Sequence, residues 1–547
     1  MPQAELHGKN IIGGRASGEG THTFAAVNPA TGENLAPVFY EATEDEVNRA
    51  VELAGAAFTE YRDATPEQIA GFLEACGAEI MALGEELIKR ANAETALSEA
   101  RLVSERARTV NQFNLFAKLV REGSWVDARI ERGKPERKPT PQPDLRRMLQ
   151  PLGPVAVFGA SNFPFAYSVA GGDTAAALAA GNAVLTKAHP AHPGSCELVM
   201  RALQAAIGKC AMPAGLVSML HGTSNAVGLA LVRHPLIKAV GFTGSLQGGR
   251  ALCDAAASRS EPIPVYAEMG STNPVFLLPG ALAAKGAEIA QGLAQSVTLG
   301  VGQFCTNPGL VFAVEGPEFQ QFAVCAAELI RQVPPGTMLT AGMCARYRQG
   351  VAEFARIPGV RVAASASGAQ QGQAAATVFA TDLETFLKTP ALHEELFGPC
   401  TLIVSCNSHA ALLQAASRLR GQLTASVHGT AEDLLVNSTL VDILSQKAGR
   451  LIFNGFPTGV EVCAAMQHGG PYPATSNAHF TSVGTAAVLR FARPVCYQDF
   501  PQELLPPELR DRNERGIWRL VDGRFTAEAL GFGLWALGRA RPAVPKA

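Results

Sequence analysis

The sequence predicts an α/β protein, and three observations lead there. Short continuous apolar runs, Val155-Ala156-Val157-Phe158, Ala183-Val184-Leu185-Thr186, Leu216-Val217-Ser218-Met219-Leu220 and Ala239-Val240-Gly241-Phe242, recur with helix-compatible segments between them. That alternation marks βαβ units around a buried parallel sheet. The same style resumes after Pro264 with different spacing, which points to a second α/β domain. With 47% apolar and 17% charged residues over 547 positions, the chain can build large cores and is too apolar to be disordered.

Taken in order, residues 1–40 alternate short apolar runs with Gly and Pro and read as strand-turn pieces, for example Asn10-Ile11-Ile12-Gly13-Gly14. At Thr43 the period changes. Thr43 followed by Glu46 fits a capping box, and Val47, Ala50, Val51, Ala54 and Phe58 then fall on one helical face. Further helices are expected over about 66–92 and 94–122. Residues 125–151 set prolines among charges (Lys134-Pro135, Lys138-Pro139, Thr140-Pro141, Gln142-Pro143), the composition of an extended arm, a linker or an edge strand. The βαβ pattern follows from residue 152, with helices over 170–180 and 196–207. Residues 363–377 are low in complexity and are expected to form a solvated loop. No repeat of solenoid period occurs.

Charge and composition narrow the function. Lys plus Arg total 46 and Asp plus Glu 48, a net charge of −2, so no basic excess points to nucleic acid or an anionic membrane. The N-terminus does not read as a signal peptide and no apolar run reaches about 18 residues. The apolar stretch 529–537 reads as a docked tail helix or partner contact. The 11 cysteines show no Cys-x-x-Cys pair, which favours neither a disulfide framework nor a zinc module and suits a reducing, cytoplasmic compartment.

Three segments carry chemistry. In Gly302-Gln303-Phe304-Cys305-Thr306-Asn307-Pro308-Gly309 a cysteine follows a helical stretch, a setting in which a thiol can act as nucleophile. In Tyr266-Ala267-Glu268-Met269-Gly270 a carboxylate ends a strand before a Gly turn, where it can serve as a general base. In Phe158-Gly159-Ala160-Ser161-Asn162-Phe163-Pro164 an amide stands where it can donate to an oxyanion. Each alone has a plainer reading: a small buried hydrophobe, a capping Glu, a turn Asn.

Together the three segments resemble the aldehyde dehydrogenase superfamily. Three further motifs extend the resemblance: Ala183-Val184-Leu185-Thr186-Lys187, Gly241-Phe242-Thr243-Gly244-Ser245 continuing to Gly249, and His393-Glu394-Glu395-Leu396-Phe397-Gly398-Pro399. Their order and separation suit the family from about residue 8 to about residue 510. The resemblance implies that Cys305 attacks the aldehyde as thiolate, and that Asn162 and the Cys305 N–H hold the oxyanion. Glu268 then activates the water that hydrolyses the thioester. Lys187 would contact the adenosine ribose or its phosphate, Gly244, Ser245 and Gly249 would shape the pyrophosphate turn, and Glu395 and Phe397 would hold the nicotinamide ribose and ring. No metal is implied.

Relatives that prefer NAD commonly carry a Glu three residues past the lysine. Here Pro190 stands there, and Lys187 with His189 or His192 would favour a 2′-phosphate, so NADP is expected, with NAD possible. Within the family, Asn454-Gly455-Phe456-Pro457-Thr458-Gly459-Val460-Glu461-Val462 and Gly469-Gly470-Pro471-Tyr472-Pro473-Ala474-Thr475 resemble the branch of 2-oxoglutarate semialdehyde (2,5-dioxopentanoate) dehydrogenases and a bacterial NADP-dependent fatty aldehyde dehydrogenase. Phe163, Phe165 and Phe456 are candidates to line the substrate tunnel, with the loop 454–462 as one wall. No cation in the motifs is marked out to grip a substrate carboxylate, so the acidic semialdehyde and a long apolar aldehyde both stay open, the former preferred. Coenzyme-A acylation, a catalytically silent binding protein on the same fold, and Cys463 as nucleophile are the weaker alternatives.

The resemblance implies an aldehyde dehydrogenase fold. Residues 1–125 and 152–265 would form a Rossmann-like cofactor-binding domain and 266–475 an α/β catalytic domain. Residues 126–151 and 476–500 would make a β oligomerisation arm, and 501–547 a C-terminal extension. A homodimer or homotetramer is expected.

Overall fold

The computed structural model describes residues 5–530. Its first seven-stranded sheet runs in the order Val265–Glu268, Ala239–Thr243, Val155–Phe158, Val184–Lys187, Val217–Leu220, Asn10–Ile12, Arg15–Ser17. The first five strands are parallel and the last two form an antiparallel edge hairpin. Val155–Phe158 and Val217–Leu220 are buried at every residue, as a sheet covered on both faces requires. Helix Pro66–Ala82 packs on Glu99–Glu122, Gly172–Ala179 and Pro193–Lys209 over this sheet. From Val155–Phe158 the chain moves outward through two strands and then returns to Ala239–Thr243 on the other side. The order reverses between those two strands, and the crevice beyond the carboxyl ends of such a pair is where α/β sheets bind ligands.

Helix Glu44–Tyr61 begins with the Thr43/Glu46 capping box, and Val47, Ala50, Val51 and Ala54 are fully buried. Three sequence expectations need correction. The helix expected over 66–92 is two, Pro66–Ala82 and Gly84–Thr95, because the chain turns at Gly84 with φ +56°. The next helix starts at Glu99, capped by Ser98, after the left-handed Ala96. The segment 363–377 is only partly a loop. Arg361–Ser365 pairs antiparallel with Thr377–Asp382, and Gln373–Ala374 pairs with Gly336–Thr337, so tertiary pairing overrides the bland composition.

The second seven-stranded sheet runs Arg361–Ser365, Thr377–Asp382, Cys400–Cys406, Leu310–Val314, Val275–Leu277, Gln422–His428, Ala448–Phe453. All its neighbours are parallel except the first pair. A third, five-stranded sheet joins Ala492–Gln498, Leu145–Pro151, Arg129–Glu131, Arg519–Val521 and Arg524–Thr526. Residues 501–530 thus add strands to the sheet that holds the Pro-rich arm. Of the apolar stretch 529–537, the part from 531 onward lies outside the described residues. No helix among the described residues is long and apolar enough to cross a membrane.

Candidate active site

Strand Val155–Phe158 runs into Gly159, Ala160, Ser161 and Asn162. Strand Ala239–Thr243 runs into Gly244 and Ser245, and strand Val265–Glu268 ends on Glu268 itself. All of these ends line one open cleft of about 610 Å³, shared with His189, Cys305, Glu395 and Phe397. The cleft therefore sits at the reversal of strand order.

Cys305 reaches it from the other α/β unit. Helix Pro279–Thr298 passes into a turn in which Gly300, Val301 and Gly302 have φ of 55°, 61° and 63°. A β-branched residue held at positive φ is strained, at a cost of about 1–3 kcal/mol. A Cβ on Gly302 would lie 2.3 Å from the Gly398 carbonyl group, so the Cys305 loop rests on the Gly398-Pro399 backbone. Asn273 Nδ2 donates to Cys305 O and to Asn307 O, both at 2.9 Å. Asn162 Nδ2 donates to Gln303 O at 3.0 Å, which brings the amide beside the cysteine loop.

His468 stands between Glu268 and Cys305 and was not singled out from the sequence. Its Nε2 lies 3.0 Å from Glu268 Oε1 and 3.5 Å from Cys305 Sγ. An ionised carboxylate only accepts, so Nε2 donates to Glu268. Nδ1 of His468 is buried without a partner among the described residues. Ser482 Oγ donates to Glu268 Oε2. Burial alone would raise the Glu268 carboxyl; His468 and Ser482 outweigh it and hold the group below the usual carboxylate range. For Cys305, burial comes first, and the charge of Glu268 adds to it, so the thiol is pushed well up and rests protonated. Among the described residues, Glu268, Cys305 and His468 are also the acidic, Cys and His groups near enough to hold a metal, with ligand atoms within 4.8 Å. The signal for His468 was slight: one histidine before Gly469-Gly470-Pro471.

The residues expected to hold a cofactor divide. Ser245 caps helix Leu246–Ala257 by accepting from Gly248 N–H at 3.2 Å, and Gly244, Ser245 and Gly248 all line the cleft. That helix N-terminus suits a pyrophosphate. Gly249 serves packing instead: a Cβ there would lie 2.6 Å from Met269 Sδ. Glu395 lines the cleft, and desolvation by the protein packed around it, with the charge of Glu268 adding to it, pushes its carboxyl up to about 8. Lys187 does not line the cleft; its Nζ donates to Gly222 O at 2.5 Å, and burial lowers its ammonium to about 8. His189 does line it, with its ring stacked on His192. His192 is fully buried, bonded to Ala160 O and Cys196 Sγ, and so is structural. This donor set, a helix N-terminus beside accessible Glu395 and Phe397, fits a nicotinamide dinucleotide.

The three phenylalanines also divide. Phe163 joins Phe304 and Tyr167 in a small apolar cluster next to Asn162 and Cys305. Phe165 is completely buried in the core of the first sheet and lines no site, a correction imposed by its burial. Phe456 packs on His428 at 4.7 Å and over Gly292. Its loop is tied to the Cys305 segment through Thr458 Oγ1, 3.5 Å from Thr306 O. Cys463 does not line the cleft.

Residues 16–471 match the family model described as the aldehyde dehydrogenase family. The α-ketoglutaric semialdehyde dehydrogenase 2 of Azospirillum brasilense is 52% identical over 522 residues, which cover 95% of this chain and 99% of the relative. The α-ketoglutaric semialdehyde dehydrogenase of Acinetobacter baylyi is 44% identical over 525 residues, covering 96% and 99%. A solved variant of aldehyde dehydrogenase C from Pseudomonas syringae, in complex with NAD+ and octanal, superposes with a TM-score of 0.77 at 21% identity over 90% of this chain and 97% of that one, a likeness of fold.

Proposed function

Since the chain belongs to the aldehyde dehydrogenase family and is an oxidoreductase acting on aldehydes, we propose that it oxidises 2,5-dioxopentanoate to 2-oxoglutarate with NADP as hydride acceptor. The substrate reading is supported by the names of the two relatives, which match nearly the whole chain. The chemical reading is carried by one observation: Cys305, Glu268 and Asn162 line a single cleft, although they come from two different sheet units.

Cys305 Sγ bonds to the aldehyde carbon while its proton passes to the Glu268 carboxylate, which is ionised at neutral pH and within reach. The oxyanion so formed is held by Asn162 Nδ2, which turns to it from Gln303 O. A nicotinamide cofactor, when bound, supplies the acceptor for the hydride that leaves the former aldehyde carbon. Glu268, after releasing its proton to solvent, takes one from the water that attacks the resulting thioester. The C–S bond then breaks, Cys305 is regenerated and the acid leaves. His468 and Ser482 keep the carboxylate aimed and ionised through both halves.

NADP is supported by Pro190, which leaves no carboxylate at that position to repel a 2′-phosphate, and by His189 at the cleft. One observation favours NAD as a second reading. Glu41, which accepts from Thr223 and Ser224, acts on the charge of Lys187 from nearby. The test is a steady-state panel of 2,5-dioxopentanoate, succinic semialdehyde, glutaraldehyde and six- to fourteen-carbon aldehydes with each cofactor. The highest kcat/KM is expected for 2,5-dioxopentanoate with NADP. A best rate on a long-chain aldehyde overturns the substrate, and an NAD preference of about tenfold or more overturns the cofactor.

A further inference from the structure

Beside the cleft, three arginines gather around the nucleophile. Phe163 follows Asn162 in the chain and Phe304 precedes Cys305; their rings pack edge to face at 5.5 Å, and Tyr167 adds a third ring 5.3 Å from Phe163. The Arg101 guanidinium lies 5.1 Å from the Phe163 centroid and 4.7 Å from that of Phe304. That of Arg108 lies 5.7 Å from Phe163 and 5.6 Å from Tyr167. Arg450 holds the loop beyond, donating to Pro457 O at 2.8 Å and Gly459 O at 3.2 Å.

Each of the three has a buried guanidinium nitrogen without a partner among the described residues: Arg101 Nη1, Arg108 Nε and Arg450 Nε. None of them makes an ion pair within that set. Elsewhere in this protein, shielded arginines do: Arg90, Arg146, Arg201 and Arg490 each meet a carboxylate at 2.9 Å or less. The acid beside Arg101 and Arg108 is Glu105, which spends Oε1 on the Phe165 and Ala166 N–H groups. One carboxylate shared by two shielded guanidiniums leaves positive charge in excess, a cost that an arriving anion offsets.

The three arginines are not equivalent. Arg101 donates to Asn162 O at 2.7 Å and so positions the oxyanion amide. Arg450 is spent on its loop. Arg108 makes one long hydrogen bond, to Tyr167 Oη at 3.3 Å, and its charge is felt by Cys305. We propose that Arg108 is the seat for the distal carboxylate of the substrate and makes the enzyme selective for aldehydes that carry a carboxylate at the far end. The aromatic rings Phe163, Tyr167 and Phe304 wall the short carbon chain between the carboxylate and Cys305. This inference rests on the substrate reading above and names the residue that would enforce it.

The experiment compares 2,5-dioxopentanoate with pentanal, of equal carbon count and no charge, for the wild type and Arg108→Met. The expected result is a loss of roughly 30-fold or more in kcat/KM for the acid, carried by KM, with pentanal changed by no more than about threefold. Retained turnover of pentanal reports that the variant is folded. Equal losses on both aldehydes overturn the assignment. Arg108→Lys is the second variant, expected to show an intermediate acid-to-neutral ratio; a wild-type ratio in it also overturns the assignment. A wild type that prefers pentanal removes the substrate reading and Arg108 with it. A wild type that prefers the acid, with a ratio unmoved by Arg108, removes Arg108 alone.

Discussion

Burial raises the Cys305 thiol, and the charge of Glu268 raises it further. The proposed nucleophile therefore rests as a thiol, and its reactivity depends on where the proton goes. In the absence of cofactor, inactivation by iodoacetamide is expected to accelerate with pH through a midpoint above the ordinary thiol value of about 8.5. Glu268→Gln removes the negative charge while leaving the burial, so the midpoint should move to lower pH even as turnover is lost. An unshifted midpoint would mean that Glu268 does not act on the thiol. Cys305, Glu268 and Asn162 were legible in the sequence through the resemblance that their segments carry together, since each alone has a plainer reading. His468 was not, since its importance lies in a contact made 200 positions from Glu268. Arg101 and Arg108 were equally hidden, since nothing in the sequence of helix Glu99–Glu122 sets them apart from its other charges.

At the level of elements, helix Glu44–Tyr61 shows what local pattern can and cannot say. Its capping box was readable from Thr43 and Glu46. The second use of Glu46 was not: the fully buried carboxylate also accepts from Ser17 Oγ and Asn10 Nδ2, tying the helix to the edge hairpin. Thr43→Ala is expected to cost this helix about 1 kcal/mol, read as roughly fivefold faster hydrogen exchange across Glu44–Tyr61. Unchanged exchange would mean that the packed face alone holds the first turn. The nucleophile turn was harder to foresee. Three successive positive φ values, one of them at Val301, are sustained by the contact of Gly302 with Gly398, which no local preference supplies.

Across the whole molecule, the first two sheets build the cleft and the third stands apart from it. The Pro-rich segment leaves the third sheet as a small exposed hairpin, bridged between Lys134 and Gln142, before returning as Leu145–Pro151. Such an arm is suited to reach a second subunit, and its edge is one that proteins cover or blunt. Replacing residues 134–142 by a short Gly-Ser turn is expected to lower the mass measured by light scattering, from that of a dimer or tetramer toward that of a monomer. An unchanged mass would place the subunit contact elsewhere.

The sequence by itself determined the α/β class, the order of the strands along the chain, and that Cys305, Glu268 and Asn162 sit in or beside glycine-containing turns. These are consequences of apolar periodicity and turn chemistry over a few neighbouring residues. Only the tertiary structure decided that His468 bridges Glu268 and Cys305, that Lys187 and Phe165 are withdrawn from the cleft, and that Arg101 and Arg108 pack on Phe163 with buried guanidinium nitrogens left unpartnered among the described residues. Desolvation and charge compensation depend on which segments meet in space, and that is set by the packing of the two sheets rather than by any stretch of chain.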